Sequence, residues 1–257
     1  MSTTASFAVQ FPWEKITEHA SEGLELSVWT FVLTLVLEFW SLDTVKNVLD
    51  QPGAGVPLYQ AAILANLVNH FVFGWTIYLG AAILFCRDTE EVTSSDRIIS
   101  IMTILFVQSL FFYAAHRAFH SNPCWYRHHR FHHRFNTFVV PMAANAVSCV
   151  EYIVAYILPF TIAMPFVRPD TLSLRLSVGI VSVTNLMIHT PKLSVLSEKF
   201  MPEWLVSTND HLEHHKKLNC KYAAPTFNID FFLDLVESRF FLQKAVDSCD
   251  GSSLKKN

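Results

Sequence analysis

Nine of the twelve histidines in this chain occur in four short groups with regular spacing. The groups are His116 and His120; His129, His132 and His133; His189 alone; and His211, His214 and His215. On a helix, residues three or four apart share a face, with Cβ atoms roughly 5–6 Å apart. Each His-x-x-His-His triplet is therefore predicted to direct three imidazoles toward one point, and two triplets could hold two metal ions. Imidazole is close to neutral near pH 7 and binds iron, zinc and copper.

The alternative for any single histidine is an ordinary hydrogen-bonded residue at a membrane edge. Nine in this arrangement are different, because packing so many half-protonated rings together without a metal costs solvation and electrostatic repulsion. His128 neighbours His129 but lies about 100° away around a helix. It is predicted to be a surface residue or a neighbour of the ligands rather than a ligand.

Other polar residues interrupt apolar segments and leave two interpretations open. Glu151, with Asn145 nearby, could orient a ligand imidazole or pair with a loop arginine. His70, with Asn66 and Asn69, could line a substrate channel or form hydrogen bonds between helices. Glu213, inside the last triplet, is predicted to point away from the metal because residues two apart do not share a helix face.

The elements that must position these residues are predicted to be membrane helices. The 257 residues are 51% hydrophobic and 16% charged, with a mean hydropathy of +0.30, whereas a soluble domain has about 25% charged residues. Since about 20 apolar residues cross a bilayer as a helix, five stretches qualify or come close. They are Leu24 to Trp40, Leu58 to Cys86, Ile98 to Ala115, Ala143 to Val167 and Leu172 to Ile188.

These segments predict an all-α integral membrane protein with four to five transmembrane helices and a helical cap that carries a dinuclear metal site. Arg168 to Thr171 forms a short polar connection, so 143–188 is interpreted as a hairpin that returns His189 to the other histidines. Lysines and arginines are concentrated beside the histidines, which predicts that the cap faces the cytosol. The side of the N-terminus depends on whether the first apolar run crosses the membrane or lies along it.

Charge and cysteine usage exclude other classes. The net charge is −3 with scattered basic residues, which argues against a nucleic-acid partner. The five cysteines form no C-x-x-C pair and no cleavable signal segment precedes the first apolar run, so a secreted, disulfide-stabilised protein is not expected. The chain is interpreted as one domain, 1–257.

The order of the histidine groups resembles the fatty acid hydroxylase and sterol desaturase superfamily of membrane-bound non-haem di-iron enzymes. The similarity covers roughly Ile98 to Asp234 and extends beyond the histidines. It includes His116-Arg117-Ala118-Phe119-His120, the segment Trp125-Tyr126-Arg127, Met187-Ile188-His189, and the stretch from Asp210 to Ala223.

The resemblance implies that the nine histidines bind two iron ions and that the enzyme uses O₂. It also implies electrons from NAD(P)H through a separate cytochrome b5 and its reductase, and a location in the endoplasmic reticulum membrane. Two departures stand out. Ser148 occupies a position that is commonly histidine in this family, and Asn185 occupies one that is histidine in some relatives. Asn185 could bind a metal through water or simply form a hydrogen bond.

The predicted function is O₂-dependent oxidation of an unactivated C–H bond in a lipid-like substrate, with hydroxylation favoured over desaturation. The substrate could be a sterol, a fatty acyl chain or another apolar metabolite, and the sequence does not identify its binding residues. The alternatives are a membrane zinc or copper transporter or sensor, and a structural membrane protein with a degenerate site. A transporter should have histidines along its spans, whereas here they cluster at span ends.

Overall fold

The computed structural model describes residues 13–87 and 92–240, in which helices are the regular structure. Five helices are long and apolar enough to cross a membrane. We refer to them as the first span (Trp13–Trp40), second span (Gly55–Phe85), third span (Ser94–Ser121), fourth span (Cys149–Val167) and fifth span (Thr171–Ile188). The described residues contain no β-strand, only two isolated bridges. The prediction of an all-α, multi-pass membrane protein is confirmed.

The polarity of the first span is the reverse of that of a helix in a soluble protein. The buried stripe of the first span is small and polar, and consists of Gly23, Ser27, Thr30, Thr34 and Glu38. Large apolar residues point outward instead, with Phe39 77% and Phe166 86% exposed. Small and hydroxyl-bearing residues allow membrane helices to approach closely, and the apolar surface suits a lipid environment.

Most of the remaining elements form a cap, which we define as residues 122–148 together with residues 189–240. Its helices are Pro123–His129, Ser194–Phe200, Thr208–Lys217 and 229–240, with 3-10 turns at His132–Phe135, Pro141–Asn145 and Pro191–Leu193. The helix Leu42–Leu49 connects the first two spans.

Contacts at the opposite end of the spans hold the third and fifth spans in register. Asp170 accepts a hydrogen bond from the backbone N–H of Ser173 (3.0 Å), which caps the fifth span. The same carboxylate accepts one from Arg97 of the third span (2.7 Å). Arg168, with φ of 40°, ends the fourth span in the left-handed conformation. This tight hairpin returns the chain to the cap, so that His189 meets the histidines of the third span.

The predicted start of the fourth span at Ala143 is wrong, because the helix begins at Cys149. Ser148 is its N-cap and accepts a hydrogen bond from the Glu151 N–H (3.2 Å). The residues before it form a buried 3-10 turn, Pro141–Asn145. A continuous helix would occupy the backbone carbonyls of this turn, which instead accept hydrogen bonds from side chains of the site.

Asn66 and Asn69 of the second span hold this buried segment in place. Asn66 donates to the Met142 carbonyl (2.9 Å), and Asn69 donates to the carbonyls of Asn145 (3.1 Å) and Val147 (3.0 Å). The two asparagines therefore form hydrogen bonds to a neighbouring element, which is one of the two roles predicted for the polar residues of this span. Asn69 also begins a π-helical segment, Asn69–Gly74, and a second such segment, Tyr152–Ile157, interrupts the fourth span.

Candidate metal centre

The structure brings all nine histidines into two adjoining groups at the cap end of the spans. The five-histidine group consists of His116, His120, His129, His133 and His214. The four-histidine group consists of His132, His189, His211 and His215. Within each group, the potential ligand nitrogens all lie within 4.8 Å of one another. The groups touch, since the ring centroids of His133 and His215 are 4.9 Å apart.

The prediction that each triplet converges on one point is wrong, because both triplets divide between the groups. In the first triplet, His129 and His133 share a group, whereas His132 belongs to the other. In the last triplet, His211 and His215 share a group, whereas His214 belongs to the other. In the last triplet, residues four apart lie on one face of the helix Thr208–Lys217, while His214 is turned by about 100° from His215. In the first triplet, the helix ends at His129, and His132 and His133 follow in a separate 3-10 turn. Each triplet therefore bridges the two groups.

The first half of the site is built by the end of the third span and the short helix that follows. His116 and His120 lie one turn apart near the end of the span. Asn122 then caps the helix Pro123–His129, with its side chain accepting a hydrogen bond from the Cys124 N–H (2.8 Å). This cap turns the chain back over the span, which places His129 beside His116.

The second half is built by the helix Thr208–Lys217, which a capping box begins. In that box, the side chain of each of Ser207 and Asp210 accepts a hydrogen bond from the backbone N–H of the other. Asp210 also forms an ion pair with Lys221 (2.7 Å). Beyond the helix, Leu218 and Lys221 have positive φ values of 64° and 54°. The resulting tight turn points two carbonyl oxygens, those of Cys220 and Tyr222, at the histidines.

Five of the nine rings use Nδ1 for a hydrogen bond directed away from the centre. The pairs are His116 with Tyr222 O (2.8 Å), His132 with Ala143 O (3.1 Å), His189 with Asn185 O (2.7 Å), His214 with Cys220 O (2.8 Å) and His129 with Glu151 Oε1 (2.6 Å). Four of these partners are backbone carbonyl oxygens, which only accept, so Nδ1 of those four rings must carry the proton. The Nε2 atom of a neutral ring then presents a lone pair to the centre.

The spacing of these Nε2 atoms fits a shared cation. The Nε2 atoms of His116 and His129 are 3.1 Å apart, and those of His189 and His132 are 3.4 Å apart. With both lone pairs facing each other, such contacts are repulsive without a positive ion between them. Nitrogen ligands about 2.1 Å from one metal and at right angles stand about 3.0 Å apart. His214 Nε2 is buried and has no hydrogen-bond partner among the described residues, as expected of a ligand atom.

Burial keeps the cap histidines in the form that binds metal. It lowers the pKa of His189 and His214 to about 4. Burial, reinforced by neighbouring imidazoles, also lowers the pKa of His129, His132 and His211 well below the usual value. These rings are therefore neutral at physiological pH, and neutral imidazole is the ligand form.

Glu151 lies directly behind a histidine of the five-histidine group. Its Oε1 atom is 2.6 Å from His129 Nδ1, and both side chains are buried. Within the described part of the chain, its side chain is hydrogen-bonded to this imidazole and not paired with a loop arginine. A carboxylate in this position fixes the ring orientation and increases the basicity of the ligand nitrogen.

Asn185 lies one helical turn before His189 but hydrogen-bonds to the protein. Its Nδ2 atom donates to the Ala144 carbonyl (3.0 Å) and lies 3.4 Å from Asn145 Oδ1. Its own backbone carbonyl accepts from His189 Nδ1 (2.7 Å). The residue thus links the fifth span, the buried 3-10 turn and the four-histidine group.

Three polar residues considered in the sequence lie outside both groups. His128 is hydrogen-bonded to Arg127 at the surface (3.1 Å). Glu213 pairs with Lys221 (2.6 Å) and Lys217, away from the imidazoles. His70 lines a pocket between the spans.

That pocket was not identified from the sequence. It lies between the first, second, fourth and fifth spans, and Asn145 and Asn185 form part of its wall. Both π-helical segments contribute to it, through His70 and Gly74 and through Tyr152 and Tyr156. The only signal in the sequence was the set of polar residues within the apolar second span. It led to two interpretations of His70, one of which was that it lines a substrate channel.

Comparison with known proteins gives one match. A protein-family model described as fatty acid hydroxylase matches residues 101–234, which is more than half of the chain and includes all nine histidines. No curated protein and no solved structure matches significantly.

Proposed function

Because the chain belongs to the fatty acid hydroxylase family, we propose that it is a di-iron oxidoreductase that uses O₂ to oxidise a C–H bond of a membrane lipid. Family membership implies a lipid-modifying oxidoreductase in a multi-pass membrane protein. The two iron ions, the O₂ chemistry and the hydroxylated product belong to the proposal.

One observation supports this proposal most strongly. Nine imidazoles, eight of them buried and that of His120 half-buried, form two adjoining groups, and within each group the ligand nitrogens lie within 4.8 Å of one another. Histidines that conduct zinc or copper through a membrane would be expected along the spans. Here the groups are closed, buried and at one end of the spans, which favours resident metal ions over transported ones.

The proposed roles of the chain's own residues are to bind, orient and exclude water. The nine histidines would bind the two ions, and Glu151 and the carbonyl oxygens behind the rings would hold them in orientation. Bound iron would supply electrons to O₂ and the oxidant that removes hydrogen from carbon, which zinc cannot do because it has no redox chemistry. The closed packing around the rings limits access of water.

The balance of the reaction requires an external reductant. Hydroxylation consumes O₂, two electrons and two protons, places one oxygen atom on the substrate carbon and releases the other as water. Desaturation consumes the same reactants but releases both oxygen atoms as water. We propose that cytochrome b5 and its reductase deliver the electrons from NAD(P)H to a cap on the cytosolic face of the endoplasmic reticulum membrane.

The function can be tested by expressing the chain together with cytochrome b5 and its reductase and analysing the extracted lipids by mass spectrometry. The control is a His132→Ala, His214→Ala double variant, which removes one imidazole from each group. Gain of one oxygen atom in a lipid indicates hydroxylation, and loss of two hydrogen atoms indicates desaturation. Identical lipid profiles for the two proteins, across sterols, acyl lipids and supplied precursors, would contradict the proposal.

A further inference from the structure

The pocket between the spans has a definite direction. Along the fifth span it extends from Asn185 to Leu174, and eleven residues of helix correspond to about 16 Å. It contains roughly 840 Å³ of space not occupied by atoms, including the part open to its surroundings. Because part of this space is open to the surroundings, the pocket can admit one segment of an elongated lipid without enclosing the whole molecule.

The end of the pocket nearest the histidines is polar. His70, Tyr152, Tyr156, Asn145 and Asn185 lie there. Tyr156 and Asn185 both contact the Ala144 carbonyl, at 3.4 and 3.0 Å. The Asn185 backbone carbonyl in turn accepts from His189 Nδ1. This end is therefore one layer of residues away from the four-histidine group.

The other end of the pocket is mainly apolar. Its walls include Leu26, Ile77, Met164, Leu174 and Val178. Tyr78 also lies there, but its hydroxyl already donates to Glu22 (3.2 Å). The pocket thus matches a molecule with a polar group at one end and an apolar body.

His70 is available to bind such a polar group. Its side chain is only 6% exposed, and its Nε2 atom is buried with no hydrogen-bond partner among the described residues. A buried polar atom without a partner is costly unless a ligand satisfies it. Two π-helical segments border the same end of the pocket, and such segments occur frequently at functional sites.

The charge of the lining restricts the class of ligand. None of the described residues that line the pocket is Asp, Glu, Lys or Arg. Burying a phosphate or carboxylate there would leave it without a counter-ion, at a large cost in solvation. An uncharged hydroxyl or carbonyl needs only a hydrogen bond, which His70 and Tyr152 can provide.

We propose that this pocket binds a lipid with an uncharged hydroxyl or carbonyl group, and that His70 recognises this group at the end nearest the histidines. This deepens the proposed function and rests on it in one respect. If the metal centre oxidises lipids, the carbon attacked lies within a few bonds of the polar group. A remote carbon near the apolar end of the molecule would be held away from the histidines.

Binding can be measured without turnover by photolabelling the full-length chain, loaded with redox-inactive zinc, in lipid nanodiscs. Three probes share one diazirine-bearing hydrocarbon chain and differ only at its end: a primary alcohol, the plain hydrocarbon and a phosphate monoester. We expect the alcohol to label the pocket residues at concentrations about tenfold lower than the hydrocarbon, as one hydrogen bond to a buried group allows. The phosphate ester should not label them.

Variants separate recognition from general damage. His70→Phe should abolish the advantage of the alcohol while leaving hydrocarbon labelling unchanged, and His70→Gln should keep part of that advantage. Val178→Phe should weaken both probes equally, because it fills the apolar part. His128→Phe makes a similar chemical change at the surface and should alter nothing. If His70→Phe does not yield folded protein, Tyr152→Phe replaces it, with a loss of about threefold expected for one hydroxyl.

Three results would overturn the inference: equal labelling by the alcohol and the hydrocarbon, preferred labelling by the phosphate ester, or an unchanged alcohol advantage in the His70 or Tyr152 variant.

A second experiment uses iron-loaded protein with an electron donor and measures oxidation of the alcohol probe. Selective labelling without oxidation would leave the pocket proposal standing and count against the proposed function. Oxidation of the alcohol only at remote carbons would support the function and contradict the orientation in the pocket.

Discussion

The five-histidine and four-histidine groups share both triplets but have different surroundings. In the five-histidine group, the carboxylate of Glu151 stands behind His129 at 2.6 Å. In the four-histidine group, carbonyl oxygens stand behind His132 and His189. The four-histidine group has one imidazole fewer, and Asn185 connects it to the pocket wall.

This difference suggests a division of labour between two metal positions. A fully surrounded ion is held tightly, whereas a metal with fewer protein ligands retains positions for reactants. We expect the four-histidine group to be the more reactive half, because it combines the smaller ligand set with proximity to the pocket.

The largest effect is expected on removing an imidazole from the four-histidine group. His211→Ala should lower turnover by at least about a hundredfold and reduce the metal content toward one ion per chain, because only three imidazoles remain. His133→Ala, the matched change in the other group, leaves four imidazoles and should retain more metal. Metal analysis and lipid turnover on both variants measure the difference; equal losses would argue against the asymmetry.

Glu151→Gln should weaken metal binding in the five-histidine group by about ten- to a hundredfold, the usual effect of losing a partner behind a ligand. The amide removes the negative charge that polarises His129 while keeping the size of the side chain. Competition with a chelator of known affinity provides the measurement. Glu213→Gln is the control, because that carboxylate pairs with lysines instead, and a similar drop there would indicate a general effect of charge.

Asn185→His should make the two groups more alike by offering a fifth imidazole to the four-histidine group. We expect metal retention to increase and turnover to fall about tenfold, because a position used by reactants becomes occupied. Asn185→Ala removes the same hydrogen bond to Ala144 without adding a ligand. If both variants lose activity and metal equally, the effect is one of packing and the reasoning from ligand number fails.

His128→Ala should have the smallest effect, with metal content and turnover within about twofold of the wild type, as for most surface substitutions. Its imidazole is adjacent in sequence to His129 but belongs to neither group. Metal analysis of His129→Ala in parallel provides the comparison, because that variant removes a member of the five-histidine group. A large loss in the His128 variant would mean that the boundary of the five-histidine group is drawn incorrectly.

The membrane helices and the membership of the nine histidines in one site could be predicted from the sequence, because apolar length and histidine spacing are local properties. The sequence did not predict how the triplets divide, since spacing gives relative directions only within one helix, and the helix that contains His129 ends before His132 and His133. The late start of the fourth span was also missed. Carbonyl oxygens at Ala143 and Ala144 are needed by His132 and Asn185, and hydropathy does not show this requirement.

The pocket depends on contacts between four spans and on two π-helical segments. A π-helical segment differs from an α-helix in its hydrogen-bond register and not in an obvious composition. His70 could therefore be recognised as a polar residue in a membrane helix, but not as part of a wall that also includes Tyr152 and Asn185. Such long-range convergence becomes visible only when the spans are packed.

The most direct test of the central claim is the iron content and Mössbauer spectrum of the purified full-length chain after expression with ⁵⁷Fe. We expect two iron ions per chain and two signals of equal area, because the five-histidine and four-histidine groups provide different surroundings. Loss of one imidazole in His211→Ala should selectively diminish one of the signals. A chain that retains no stoichiometric pair of iron ions, or whose iron content is the same after both triplets are replaced by alanine, would contradict the account.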